Sequence, residues 1–297
     1  MTTPTQNDVQ QEYQHYYVPA QSGWPIVGAI ALFFIAVGAG STVAGLFGGN
    51  GPYLLFAGFG VLIIMLVGWF RDVIRESLGG LYSDQMDRSF RQGMSWFIFS
   101  EVMFFAAFFG ALFYARLIAV PWLGGASNNA MTAELLWPDF IPTWPLEKTP
   151  GGLETTAMGA WGLPLINTLI LLSSSITIHI AHVALEQGNR QRLKIFLALT
   201  VLLGWTFLGL QAEEYIHAYE ELNLRLDSGV YGNTFFLLTG FHGMHVFLGS
   251  VILFIIWLRV MKGHMTPEHH FAFQAGAWYW HFVDVVWLCL FVFVYIL

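Results

Sequence analysis

The sequence predicts an all-α fold, namely a polytopic membrane protein of seven transmembrane helices. Hydrophobic residues make up 56% of its 297 residues and charged residues only 10%, whereas a soluble domain carries about 25% charged residues. No charged side chain occurs between Glu12 and Arg71. The single cysteine, Cys289, excludes an internal disulfide and a thiolate metal cluster.

Seven mainly apolar runs approach or exceed the length of about 20 residues that crosses a bilayer. They are Trp24–Leu46, Tyr53–Phe70, Met94–Ala119, Trp161–Val183, Ile195–Leu210 with a polar continuation, Thr234–Leu258 and Phe271–Tyr295. The glycine-rich connection GLFGGNGP joins the first two into a hairpin. We therefore expect a polar N-terminal segment (1–23), a two-helix hairpin (24–70), a charged inner-side connection (71–93) and a five-helix bundle (94–297), which includes a long outer loop (121–159).

Lysine and arginine in the connections predict the orientation, because they concentrate on the cytoplasmic side. With the N-terminus inside, the inner segments contain nine of them: Arg71, Arg75, Arg88, Arg91, Arg190, Arg192, Lys194, Arg259 and Lys262. The outer segments contain only Arg116, Lys148 and Arg225. The sequence thus places the N-terminus inside and the C-terminus outside.

An acidic cluster follows the fifth apolar run on the predicted outer side. Its members are Glu213, Glu214, Glu220, Glu221 and Asp227. Such a cluster could steer a basic soluble partner, but exposed charge is the ordinary state of these residues. We therefore interpret it as a solvated helix end. The chain has a net charge of −7 and no basic stretch, which argues against binding of nucleic acid.

Glu101 is the most informative single residue, because it lies inside the third apolar run. At about 1.5 Å of rise per residue, it lies roughly 10 Å into the hydrocarbon when counted from Met94. An ionisable group at that depth is buried, paired or protonated, and it is a functional hypothesis by default. The alternative is a neutral acid that only hydrogen-bonds a neighbouring helix. We predict Glu101 as a functional intramembrane acid.

Other polar residues inside the apolar runs are predicted to serve in packing. His242 and His245 share one helix face, as do His281 and Asp284. Their side chains can hydrogen-bond across helix interfaces. A di-iron site in a helix bundle requires several Glu-x-x-His motifs, and the chain has one, Glu214 with His217. We therefore expect no metal ligands in this chain.

Small residues are predicted to allow close helix contacts. Gly240, Gly243 and Gly249 occur in the sixth run, and Ser173, Ser174 and Ser175 occur in the fourth.

Several blocks of the sequence resemble the cytochrome c oxidase subunit III family. The blocks are WFRDVIRES (Trp69–Ser77), RQGMSWFIFSEVMFF around Glu101, DSGVYGNTFFLLTGFHGMHVFLGS (Asp227–Ser250) and HHFAFQAGAWYWHFVDVVWL (His269–Leu288). The resemblance extends from about residue 15 to the end of the sequence. Two departures concern polar positions. Val183 follows His182 where the family often has a second histidine, and Gln274 replaces a common glutamate.

The resemblance implies a subunit without haem or copper of its own. In this family the first two helices splay from the other five and hold phospholipids in a cleft. The subunit stabilises the catalytic subunit of a proton-pumping oxidase and supports proton uptake and oxygen access. Its implied partners are oxidase subunits I and II, which contain the haem and copper, membrane phospholipids and, through the complex, cytochrome c. Lipid contacts are implied for a set of five residues: Phe70, Arg71, Glu76, Arg259 and Lys262.

The polar N-terminal extension and the long loop favour a bacterial cytoplasmic (inner) membrane over a mitochondrial one. Two other functions stay open at this point. One is a membrane haem or metal enzyme that uses the histidines. The other is a proton-coupled transporter that uses Glu101.

Overall fold

The computed structural model describes residues 17–18 and 21–297, so the first 16 residues and residues 19 and 20 of the predicted N-terminal segment lie outside the described part. The secondary structure of this part is helical, with one isolated β-bridge between Lys148 and Glu154. Seven helices in it are long and apolar enough to cross a membrane. The predicted fold class is therefore confirmed for the part that the structure describes.

The helices are numbered in chain order. Their bounds are α1 Trp24–Ala44, α2 Gly51–Leu78, α3 Asp84–Tyr114, α4 Val120–Leu123, α5 Ala130–Leu136, α6 Leu163–Glu186, α7 Arg190–Glu220, α8 Val230–Met261 and α9 Phe271–Leu290. A π-helical turn, Ala115–Ala119, joins α3 to α4, and another, Phe291–Ile296, extends α9. Short 3-10 turns occur at Phe47–Gly49 and Ser127–Asn129.

The spanning helices extend beyond the apolar runs into charged sequence. Helix α2 continues through Arg71 and Glu76, and α3 begins at Asp84. Only residues 79–83 of the charged segment 71–93 lie outside a helix. Long charged side chains at helix ends can reach water while the helix continues, so α2 ends after its apolar run and α3 begins before its own.

The described chain divides into two compact units, one ending at Phe90 and the other comprising Arg91–Leu297. In the first unit, α1 and α2 pack backbone to backbone. A Cβ atom added at Gly38 would lie 2.4 Å from the amide nitrogen of Leu55, and one added at Gly58 would lie 2.7 Å from that of Ile35. The indole nitrogen of Trp24 donates a hydrogen bond of 2.8 Å to Asp72 Oδ2. Glycine is therefore required where the two helices touch.

The second unit contains a closed ring of four helices, in which α6 contacts α7, α7 contacts α8, α8 contacts α9 and α9 contacts α6. Trp280 and Trp287 of α9 are fully buried in its centre. Their indole nitrogens donate to hydroxyls of α6, Trp280 to Ser174 over 2.8 Å and Trp287 to Thr168 over 2.9 Å. A buried indole N–H requires such an acceptor, so these bonds fix the position of α9 against α6.

The predicted close contacts of small residues are confirmed only in part. A Cβ atom added at Gly249 would lie 3.0 Å from Trp280, whereas one at Gly243 would have no neighbour within 4 Å. The prediction for Gly243 is therefore wrong, because no other helix lies close to this glycine. Ser174 contacts Trp280 as described, but Ser173 is exposed and bonds only to its own helix.

The long loop between α3 and α6 is partly helical and is tied to the connection between α7 and α8. The amide of Thr156 donates to the carbonyl of Leu222 over 2.9 Å, and the side-chain amide of Asn223 donates to the carbonyl of Glu154 over 2.8 Å. Met158 donates its amide hydrogen to the hydroxyl of Tyr231 over 3.3 Å. These bonds hold the loop against one end of the four-helix ring.

Candidate functional site

Glu101 of α3 and His245 of α8 form a direct contact. The Oε2 atom of Glu101 lies 2.9 Å from Nε2 of His245. The other ring nitrogen, Nδ1, lies 2.6 Å from the carbonyl oxygen of Phe241, one turn earlier in α8. The histidine side chain is 7% exposed and the glutamate side chain 21%. The predicted intramembrane acid therefore has an imidazole partner, although His245 is predicted only to serve in packing.

The two hydrogen bonds limit where protons can lie in this pair. A carbonyl oxygen only accepts, so Nδ1 of His245 carries a hydrogen. Nε2 then either accepts a hydrogen from a protonated Glu101 or, as part of an imidazolium, donates one to a Glu101 carboxylate. Each arrangement has one proton in the contact and a net charge of zero. A neutral pair avoids the large cost of burying an isolated charge.

Aromatic side chains surround the imidazole of His245. Its ring centre lies 5.8 Å from Phe104 and 5.0 Å from Phe105 of α3, and 6.4 Å from Tyr279 of α9, onto which it stacks. Phe104 also contacts Phe241 at 5.2 Å. These rings limit the rotation of the imidazole, so the contact with Glu101 is held by packing as well as by its hydrogen bonds.

His242 lies one turn from His245, inside the four-helix ring, and is fully buried. Its Nε2 atom is 3.1 Å from the carbonyl oxygen of Val283, to which it donates. Its ring lies 5.1 Å from that of Trp287 and 5.7 Å from that of Phe207. This imidazole therefore links α8 to α9 through a hydrogen bond.

His281 and Asp284 share a face of α9, but their nearest polar atoms are 3.9 Å apart, beyond hydrogen-bond distance. The Nδ1 atom of His281 is closer to Ser175 of α6, at 2.7 Å from its hydroxyl oxygen. Neither carboxyl oxygen of the buried Asp284 has a hydrogen-bond partner among the described residues. His281 therefore bonds to Ser175 of the neighbouring helix α6 rather than to Asp284 of its own helix.

Glu214 is buried, unlike the other acids of its cluster. It is 0% exposed, whereas the other four acids of the cluster are exposed. The hydroxyl of Tyr295 donates to its Oε1 atom over 2.6 Å. The prediction of a solvated helix end is therefore wrong for Glu214. Helical spacing from buried Phe207 through Gln211 to Glu214 was the available signal.

The two side chains of the Glu-x-x-His motif of α7 point in different directions. Glu214 faces the core, whereas Nδ1 of His217 lies 3.1 Å from Oε2 of Glu221, one turn further along α7. The two side chains of the motif therefore have different partners.

The five residues implied in lipid contact lie in both units. In the first, Phe70 and Arg71 of α2 are exposed, and Glu76 accepts a hydrogen bond of 2.7 Å from Tyr82. Burial, followed by the hydrogen bond and charge of Glu76, raises the pKa of Tyr82 well above its ordinary value. In the second unit, Lys262 is exposed at the C-terminal end of α8. Half-buried Arg259 has no hydrogen-bond partner for its Nε atom among the described residues.

Comparison with known proteins identifies a single family. The family described as cytochrome c oxidase subunit III matches residues 14–297. The protein named cytochrome c oxidase subunit 3 of Squalus acanthias is 41% identical over 283 residues, covering 94% of this chain and 96% of the relative. The proteins of that name from Oryctolagus cuniculus and Danio rerio are each 40% identical, over 283 and 281 residues, with the same coverage.

Proposed function

Because this chain belongs to the cytochrome c oxidase subunit III family, we propose that it is the subunit that stabilises the catalytic subunit of a proton-pumping oxidase without a redox centre of its own. Membership makes it a multi-pass component of an energy-transducing membrane and of an oxidoreductase complex with other oxidase subunits. In the proposal its direct partners are subunits I and II, and cytochrome c reaches it only through the complex.

One observation supports the absence of a redox role: three histidines inside the spanning helices, His242, His245 and His281, are hydrogen-bonded to the protein. His245 uses both ring nitrogens, His242 donates to Val283, and His281 is bonded to Ser175. An axial ligand to haem needs a free ring nitrogen directed into a space for the cofactor. The free nitrogen of His242 is instead buried beside Trp287. This arrangement supports a scaffold rather than a membrane haem enzyme.

Removal of the chain from the assembled oxidase tests this role. The complex is purified through a tag on the catalytic subunit, and this chain is then dissociated with detergent. We expect the haem and copper content per catalytic subunit to remain unchanged, while activity decays faster during turnover. Loss of haem together with this chain would contradict the proposal, and unchanged decay would contradict the stabilising role.

Glu101 is proposed as the functional acid, with support of proton uptake as its role and His245 as its partner. A carboxyl–imidazole contact that shares one proton can exchange that proton without creating net charge. We expect a Glu101→Gln complex to take up protons more slowly at an unchanged haem content. This rate is measured with a pH dye during single-turnover oxidation. A wild-type rate in this variant would exclude the role.

Phospholipid contact is proposed for the cations at the end of α8 and for the exposed face of α2. An arginine whose Nε has no partner can bind a phosphate oxygen in a charge-assisted hydrogen bond, and Arg259 meets this condition. Arg259→Gln should reduce the phospholipid that copurifies with the complex, measured as phosphate after extraction. Arg192→Gln, at an exposed position in the first turn of α7, is the control that should leave it unchanged.

The orientation with the N-terminus inside and the bacterial inner membrane remain part of the proposal, supported by the distribution of lysine and arginine and by the long loop. A lipid-lined route that gives oxygen access is likewise a proposal. Protease accessibility of tags at the two termini in oriented vesicles tests the orientation.

A further inference from the structure

Two histidines and a glutamate converge where the end of α6 meets the start of α9. His182 and Glu186 lie one turn apart at the end of α6, and His270 directly precedes α9. One ligand atom from each of the three side chains lies within 4.8 Å of the other two. None of these residues belongs to the contacts described above.

Packing holds the two imidazoles in place. The His182 ring lies 5.4 Å from that of Phe273, which is fully buried, and 5.7 Å from that of His270. The backbone carbonyl of His270 accepts hydrogen bonds from the amides of Phe273 at 2.9 Å and Gln274 at 3.2 Å. Residue 270 is therefore fixed by the first turn of α9, and His182 is fixed by the rings on either side.

Three of the four ring nitrogens at this place have no hydrogen-bond partner among the residues that the structure describes. Nε2 of His182 and both ring nitrogens of His270 are buried atoms without a hydrogen bond among the described residues. Oε1 of Glu186 lies 3.7 Å from Nε2 of His182, too far for a hydrogen bond. Buried polar atoms normally have a partner, so three unpaired nitrogens beside a carboxylate form a set of donors suited to binding a ligand.

We propose that His182, Glu186 and His270 bind one divalent transition-metal ion, with zinc as the best fit. Imidazole and carboxylate ligands bind zinc at about 2.0–2.2 Å, and tetrahedral coordination then places ligand atoms about 3.3 Å apart. The His182–Glu186 separation of 3.7 Å is already close to this value. Glu186 is exposed and can rotate towards the rings.

Two histidines and one carboxylate leave the fourth position of the ion to water, which reaches the site past Glu186. Imidazole favours transition metals over magnesium and calcium, which prefer oxygen ligands. The bound ion links the last turn of α6 to the residue that directly precedes α9, and it thereby adds a further contact between these two helices of the ring.

Zinc binding to the intact oxidase complex tests the proposal. The complex is stripped with a chelator and titrated with Zn²⁺, and bound zinc is measured by equilibrium dialysis. Other subunits can hold metals of their own, so the quantity that matters is the difference between variants. His182→Ala and His270→Ala should each lose one equivalent of bound zinc. Removing a residue that merely supports a metal ligand weakens binding about 10- to 100-fold, so loss of a ligand itself should cost at least about 100-fold in affinity.

His269→Ala is the matched control, because His269 is exposed and adjacent in sequence to His270. It should retain the wild-type zinc content. With Co²⁺ as the probe, wild type and His269→Ala should show the visible absorption of tetrahedral cobalt, and His270→Ala should not, in difference spectra against the metal-free complex. Gel filtration and the haem spectrum verify that each variant has assembled. Equal zinc content in wild type and His270→Ala overturns the proposal even if His182→Ala does not assemble. The readout is bound metal rather than turnover, so its failure is distinct from failure of the scaffold role.

Discussion

Tyr295 of the last turn donates its phenolic hydrogen to Glu214 of α7 across 2.6 Å, and both side chains are buried. The bond joins the extension of α9 to the α7 face on which Gln211 also lies. It accounts for the presence of an acid at a buried position, because one carboxyl oxygen has a specific donor.

Replacing Tyr295 with phenylalanine removes this donor and leaves Glu214 Oε1 buried without a partner. We expect a loss of about 1–3 kcal/mol in the free energy of unfolding, which is the typical cost of such a group. Thermal unfolding of the purified complex measures it. Tyr219→Phe, at an exposed position of α7, should have almost no effect. A Tyr295→Phe variant as stable as wild type would mean that the bond contributes nothing.

Glu101→Gln should assemble in wild-type amounts. Its amide can donate to Nε2 of a neutral His245, whose Nδ1 continues to bond Phe241. Glu101→Ala leaves Nε2 without a partner and should destabilise the complex by about 1–3 kcal/mol. The yield of haem-containing complex and its unfolding temperature are compared with those of Ser100→Ala, an adjacent exposed position. Failure of the glutamine variant to assemble would show that folding requires the carboxyl itself.

Gly204→Ala should destabilise the four-helix ring. The added Cβ would lie 2.6 Å from Ser250 Oγ and 2.7 Å from Trp280 Cη2. Such overpacking typically costs about 1–3 kcal/mol. Gly209 of the same helix has no neighbour within 4 Å of an added Cβ, so Gly209→Ala should be neutral or stabilising by up to about 1 kcal/mol. The two variants are compared by chemical denaturation, and equal effects would contradict this account of the interface.

His264 should make stability depend on pH. Partial burial lowers its pKa below the ordinary 6.5, and the charges of Arg259 and Lys262 lower it further. The unfolded chain therefore binds more protons between the two pKa values, and the free energy of unfolding rises with pH in that interval. The contribution is complete above pH 6.5 and is lost as the pH falls through the folded pKa.

His264→Gln should flatten this slope, measured as the unfolding temperature between pH 5 and pH 7. His269→Gln, at an exposed position of the same loop, corrects for the loss of one histidine. An unchanged slope in His264→Gln would assign the pH dependence to other groups.

The spans could be predicted from the sequence because about 20 apolar residues have few alternatives to crossing a bilayer. Helix ends were harder to predict, since α2 and α3 continue into charged residues that hydropathy assigns to a connection. Hydrogen-bond partners were the hardest feature to predict from the sequence. Whether His281 bonds Asp284 or Ser175 depends on how α6 and α9 are placed. Glu214 was predicted to be exposed because it belongs to a cluster of charged residues with Glu213 and Glu220. Its helical spacing from the buried Phe207 instead indicates a buried position.

The packing of α1 against α2 limits which substitutions the hairpin tolerates. Of the residues of α2, all of which the structure describes, only Gly51 and Gly58 are buried. A side chain added at either would collide with α1, at 2.6 Å from Thr42 N and 2.7 Å from Ile35 N. In saturation mutagenesis of α2, most exchanges among its apolar residues should therefore be tolerated, whereas nearly every replacement of these two glycines should not.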